Sequence, residues 1–174
     1  MKKIHMVSLM LLLMAGAAQA DFNDGVVAYI AGDYESSYNT MISIAKTDEQ
    51  HALSQYYLGV MYLKGQGVQK NFEEAGKWFR KAAENRLPQA QYQLANLYKE
   101  GEGVPRDFEF AYIWYSVGAA HNHQLSKNAL DTAKTRLSES ELSEADKMIA
   151  EFIDKYGPKP ENPNQAPYNK PVDE

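Results

Sequence analysis

Two consecutive segments decide how this chain is read: ALSQYYLGVMYLKGQGVQKNFEEAGKWFRKAAENRL at residues 52–87 and PQAQYQLANLYKEGEGVPRDFEFAYIWYSVGAAHNH at residues 88–123. Aligned without a gap, they are identical at 12 of 36 positions. Leu58, Tyr62, Gly65, Gly67, Val68, Phe72, Ala75, Trp78 and Ala83 recur as Leu94, Tyr98, Gly101, Gly103, Val104, Phe108, Ala111, Trp114 and Ala119. One register held through a whole block marks a tandem structural repeat, in which each unit buries its apolar face only by stacking on its neighbours.

Each block reads as two helices. Ser54, Leu58, Met61 and Tyr62 follow the 3–4 spacing of one helical face. Gly65 ends that helix, because glycine accepts a left-handed backbone at no steric cost. Asn71 stands as N-cap with Glu74 three residues on, and Asp107 takes the same place in the second block. Ala75, Trp78, Phe79, Ala82 and Ala83 form the apolar face of the second helix, where small and large residues alternate so that helices interlock. Pro88 opens the next helix at a first-turn position, where its missing N–H does no harm.

These residues closely resemble the Sel-1-like repeat (SLR), a relative of the tetratricopeptide repeat. The matching motifs are Leu58-Gly59-x-x-Tyr62-x-x-Gly65-x-Gly67-Val68 and Ala75-x-x-Trp78-Phe79-x-Lys81-Ala82-Ala83. The second copy has Leu94-Ala95-x-x-Tyr98-x-x-Gly101-x-Gly103-Val104 and Ala111-x-x-Trp114-Tyr115. Ala95 replaces a small glycine, and Asn85 and His121 stand where the family often ends the unit with glycine. Asn tolerates the left-handed region there better than His does. The resemblance implies an all-α fold: a short right-handed α-solenoid of antiparallel helix pairs, about eight helices in total.

The flanks complete that architecture. Ala31-Gly32-Asp33-Tyr34 makes a tight turn inside an N-terminal cap pair, residues 21–50. Repeat 1 covers 51–87, repeat 2 covers 88–122, and two capping helices fill 123–156. Their apolar faces are Leu125, Ala129, Leu130, Ala133 and Leu137, then Leu142, Ala145, Met148, Ile149, Phe152, Ile153 and Tyr156, with Ser138 and Glu141 able to cap the last helix. Residues 157–174 hold five of the seven prolines and few large apolar side chains, the composition of a disordered tail. Residues 1–20 have the form of a cleaved signal peptide: a Lys2-Lys3 start, an apolar run from Met6 to Ala18, and Ala18-Gln19-Ala20 before Asp21. That run is too short to span a bilayer as a helix. The mature protein is therefore expected in the periplasm, with 16 basic against 23 acidic side chains, a net charge of −7.

Several chemistries are excluded or find no support. With no cysteine there is no disulfide, thiol nucleophile or thiolate-bound metal. The acidic balance argues against nucleic acid, because phosphate contacts need clustered Lys and Arg. Gly65-Gln66-Gly67 and Gly101-Glu102-Gly103 lack the preceding strand and following Lys-Ser/Thr of a phosphate loop. His121-x-His123 is a histidine pair without a diagnostic third ligand. Glu139, Glu141, Glu144 and Asp146 sit in the first turns of a helix, where the macrodipole favours acids. No enzyme, cofactor or metal site is expected.

A protein partner is expected instead. By analogy with tetratricopeptide units, the first helix of each pair lines a concave surface. That places Val26 and Tyr29 of the cap, beside Phe22, on it, followed by Leu53, Tyr56, Val60 and Leu63, then Gln89, Tyr92, Asn96 and Lys99. The middle set is apolar and the last polar, so the face has a greasy centre and a hydrogen-bonding end. Two readings of the apolar stripe remain: an open groove, or a surface covered by the terminal helices or the tail. The resembled family points to adaptors in the cell envelope. An inhibitor or immunity-type protein blocking an envelope enzyme would use the same surface. A module binding peptidoglycan or glycan fragments on the groove tyrosines is the other class.

Overall fold

In the computed structural model, residues 22–159 are described, and among them lie eight helices and no strand. They are α1 (22–31), α2 (Tyr34–Thr47), α3 (Ala52–Lys64), α4 (Phe72–Glu84), α5 (Pro88–Glu100), α6 (Phe108–Ala120), α7 (Gln124–Lys134) and α8 (Glu139–Tyr156). The signal peptide expected at 1–20 and residues 160–174 of the expected tail lie outside the described residues. Helices pack in chain order, α3 on α4 and α5 on α6 within repeats, α2 on α3 and α4 on α5 between them. The last helix, α8, runs along α6 and touches α4. The second-helix row α2, α4 and α6 therefore carries α8, while α1, α3, α5 and α7 form the other row.

Inside each repeat the large residues of one helix enter gaps left by small ones on the other. A Cβ on Gly59 would lie 2.6 Å from the Phe79 ring, which is fully buried. The ring centroids of Tyr56 and Phe79 lie 5.8 Å apart, and those of their equivalents Tyr92 and Tyr115 5.7 Å, both pairs tilted by 49°. The two units thus share one core geometry, so a difference between them carries information.

The two glycines of each Gly-x-Gly loop have separate roles. Gly65 and Gly101, at φ 71° and 74°, end α3 and α5 in the left-handed region and donate to the Met61 and Leu97 carbonyls. Gly67 and Gly103 are also left-handed, at φ 71° and 69°. They press on the backbone of the preceding unit, Gly67 on Tyr34 at the start of α2 and Gly103 on Phe72 at the start of α4. A side chain at either would overlap that backbone, so repeats stack at this distance only with glycine there.

The corners after α4 and α6 differ from the expectation by one residue. Asn85 and His121 have φ −82° and −77°. Arg86 and Asn122, at 65° and 62°, are the left-handed residues. The reason is a Schellman closure one position later: the Leu87 N–H donates to the Ala82 carbonyl at 3.1 Å, and the His123 N–H to that of Gly118 at 3.2 Å. Asn85 is occupied elsewhere, its Nδ2 donating to the Glu49 carbonyl at 2.8 Å and to Gln55 Oε1 at 3.0 Å.

The terminal helix is fastened at its end. Gln91 Nε2 donates to the Tyr156 carbonyl at 2.9 Å, and His121 Nε2 lies 3.1 Å from the same oxygen. Arg86 donates to the Gly157 carbonyl. Phe152 and Tyr156 flank Trp114, each with its ring centroid 5.4 Å away. Gly157 is buried, so the expected tail does not separate from the body until after this residue.

Gly103 and Gly32 separate the two effects of a left-handed glycine. A Cβ on Gly32, at φ 83°, would meet nothing within 4 Å. Gly32→Ala is expected to cost about 1 kcal/mol, the left-handed penalty alone. Gly103→Ala adds a backbone collision and is expected to cost on the order of 3 kcal/mol or more. Urea melts followed by circular dichroism check this ranking; equal losses would remove the stacking role of Gly103.

Candidate functional site

The ten residues expected to face a partner do not form one continuous stripe. Val26 packs into the N-terminal core with Met41, Ile44 and Leu58. Tyr29 donates to Gln66 Oε1 at 2.7 Å, and its ring lies 5.2 Å from Tyr57. Val60, expected on the open face, is buried at 8% exposure and belongs to the main core. Tyr56 and Leu63 are half-buried against that core, while Leu53 and Gln89 are exposed. The greasy centre of the proposed groove is thus mostly taken up by packing of the chain on itself. No described helix has to fold over it, since α8 lies on the α4 and α6 row.

Tyr92, Asn96 and Lys99 behave differently. With residues of α6 and α7 they line a cleft of about 450 Å³. One wall is α5, the other is Ala129, Thr132, Ala133 and Arg136 on and just after α7, and Arg106, Phe108 and Tyr115 complete it. The cleft exists because the repeat changes where it is copied a third time. Positions 93 and 97 of α5, Gln and Leu, correspond at the same 36-residue step to Ala129 and Ala133 of α7. Leu97 reaches to 3.5 Å from the Cβ position of Gly76, and Gln93 lies near the Tyr56 hydroxyl. At the next junction Ala129 and Ala133 line the cleft, while the place of Gly76 is taken by Tyr112.

A second pair of substitutions sets the cleft's polarity. Repeat 1 has Val60 on α3 and Phe79 on α4, both buried. Repeat 2 has Asn96 and Tyr115 at the equivalent places, and the Tyr115 hydroxyl donates to Asn96 Oδ1 at 2.5 Å. An apolar pair has become a hydrogen-bonded one. Burial, then the nearby Tyr92 and Glu100, push the Tyr115 phenol far above its ordinary range, so it stays a neutral donor. Asn96 is therefore a polar wall residue whose oxygen is engaged by Tyr115.

One end of the cleft is cationic, although the chain carries a net charge of −5. Lys99, Arg106 and Arg136 surround a single acid, Glu100. Lys99 Nζ lies 2.9 Å from Glu100 Oε1, and this contact, with Arg106 and Arg136 further off, holds the Glu100 carboxyl below its usual value. Among the described residues neither Arg106 nor Arg136 forms an ion pair. Sequence reasoning missed the contributions of α7, although continuing the repeat period through α7 would have exposed Ala129, Ala133 and Arg136.

The residues weighed for other chemistry have structural partners. His123 caps α7, its Nδ1 accepting from the Ser126 N–H at 3.3 Å and lying 2.9 Å from Ser126 Oγ. His51 makes the same arrangement with Ser54 at α3, two periods earlier. Glu141 closes a capping box with Ser138, and Glu144 pairs with Lys147. Among the described residues no group of three His, Asp or Glu side chains is placed to hold a metal ion. No described helix is long and apolar enough to cross a membrane.

The fold and its glycine-seated loops define a helical-repeat solenoid. Two of its units are Sel1 repeats: the Sel1 repeat family matches residues 52–86 and 88–123. Two solved structures are similar to it. One is a protective antigen of uropathogenic Escherichia coli strains displaying an SLR fold, with TM-score 0.77 and 26% identity over 91% of this chain and 36% of the antigen. The other is a Sel1 repeat protein from Oxalobacter formigenes, with TM-score 0.60 and 28% identity over 74% of this chain and 98% of the other. The chain thus spans about a third of the antigen's length. No curated protein matches it.

The His123 cap makes one wall of the cleft sensitive to acid. Burial lowers the imidazole pKa from its ordinary 6.5, and only the neutral ring can accept from Ser126. The unfolded chain therefore binds this proton more readily than the folded one. The cap's contribution is fully present above 6.5 and is lost as pH falls through that value towards the folded one. His123→Asn keeps an N-cap acceptor without a titrating ring. Urea melts at about pH 7.5 and about pH 5 are expected to differ less in this variant than in the native chain; an unchanged difference would assign the acid sensitivity elsewhere.

Proposed function

We propose that this protein is a non-catalytic scaffold of the bacterial periplasm that binds a segment of another envelope protein on the concave side of its helix stack. Sel1-repeat proteins are in general protein-interaction scaffolds, and the particular seat on this chain is the cleft between α5 and α7. The observation that carries the reading is the break in the repeat at Ala129 and Ala133. These two small residues line the cleft at the positions where α5 carries Gln93 and Leu97. Apolar and aromatic walls with a few fixed polar groups suit an extended peptide, whose main chain supplies the remaining hydrogen bonds. Residues 1–20 supply the export signal for the proposed compartment.

Two measurements test this. A photo-crosslinking amino acid at Thr132, which is exposed and lines the cleft, is expected to join a protein partner in intact cells. The same group at Glu151, exposed on α8, is expected to give no such adduct. Equal adducts from both positions would displace the site. Osmotic-shock release followed by intact mass is expected to show a chain beginning at Asp21. A soluble cytoplasmic chain that keeps Met1 would overturn the periplasmic assignment.

A further inference from the structure

The α5–α7 cleft has chemically different ends, and the helix between them fixes their separation. Tyr92, half-buried with its ring over Tyr115, stands with Ala129 at the apolar end. Lys99, Arg106 and Arg136 stand at the other. From Tyr92 to Lys99 is seven residues of α5, about 10 Å along a helix axis. A peptide in the polyproline II conformation covers about 9 Å in three residues and, at three residues per turn, brings the first and fourth side chains to the same face. The cationic end holds one acid of its own, Glu100, so three positive charges face one negative charge. That end attracts a further carboxylate and disfavours an incoming Lys or Arg.

We infer that the segment bound in this cleft carries an aromatic or branched aliphatic side chain and, three residues away along a polyproline II backbone, an Asp or Glu. The inference rests on the reading that the cleft is the partner site, and it adds the chemistry of the partner. Tyr92 and the two alanines receive the apolar side chain, and Asn96 lies along α5 between the two anchors. Arg106 and Arg136 take the carboxylate, because their planar guanidinium groups can bind it in two-point fashion. The chain's own residues 160–174 do not fit, since the residues three positions from Glu161, Asp173 and Glu174 are Pro158, Asn164, Lys170 and Pro171.

The test is selection of random dodecapeptides displayed on phage against the immobilised full chain, followed by fluorescence anisotropy of the selected sequences. The expected consensus is apolar-x-x-Asp/Glu, in either direction. Replacing the acid by its amide in the peptide is expected to weaken binding about ten-fold or more. Arg106→Gln with Arg136→Gln, both exposed, is expected to cause a similar loss for the acidic peptide and little for the amide. Ala129→Gln with Ala133→Leu, which refills the cleft, is expected to abolish both. Peptides lost on refilling but indifferent to the acid and to the arginines would overturn this inference and leave the cleft as the partner site. Peptides indifferent to refilling would overturn the site itself. A gain of ten-fold or more on deleting residues 160–174 would make the chain's own tail the occupant and overturn the partner proposal.

Discussion

The stacking of the two repeats on the units before them depends on two places where backbone meets backbone with no side chain between. Gly67 rests on the start of α2, and Gly103 on the start of α4. Hydrophobic burial drives the helices together, but it is non-directional and would accept many offsets. The glycine contacts choose one. Each loop must reach the helix start of the unit before it, and this sets the spacing at which Phe79, Leu94, Trp114 and the buried alanines interlock.

Once the stacking distance is fixed, the cleft follows from side-chain size alone. Between α3 and α5 stand Gln93 and Leu97, over the buried apolar residues Val60 and Phe79. At the next junction the same scaffold carries Ala129 and Ala133 over the hydrogen-bonded pair Asn96 and Tyr115. Function in a repeat protein can thus reside in the departures from the repeat, because conforming positions are already committed to stacking. The same logic explains α8. An array needs its last apolar face covered, and Phe152 and Tyr156 supply that cover around Trp114 on the α6 side, leaving the α5–α7 side open.

Most of the fold was legible because it is written twice. The glycine stops, the Asn71 and Asp107 caps, the alternation of alanine with aromatics and the cap pairs all sit where the periodicity places them. The left-handed corners were misplaced by one residue, because Asn85 looks like a helix stop and is instead a hydrogen-bond donor to Glu49 and Gln55. Half of the candidate site was legible. Tyr92, Asn96 and Lys99 were read from α5, but Val60, placed on the concave face as open groove or covered surface, belongs to the core. The α7 wall escaped because its repeat is degenerate: Leu130 and the His123–Ser126 cap persist, while the Gly-x-Gly loop that announces a unit is gone.

The central claim is that a partner segment lies between α5 and α7. The most direct measurement is amide chemical-shift mapping on the ¹⁵N-labelled chain, titrated with the segment that the crosslinked partner contributes. The account predicts that the largest shifts fall on residues 92–100 and 129–136, the two walls of the cleft. Shifts centred on Leu53 and α1, or on the outer face of α8, with these two stretches unmoved, would contradict it.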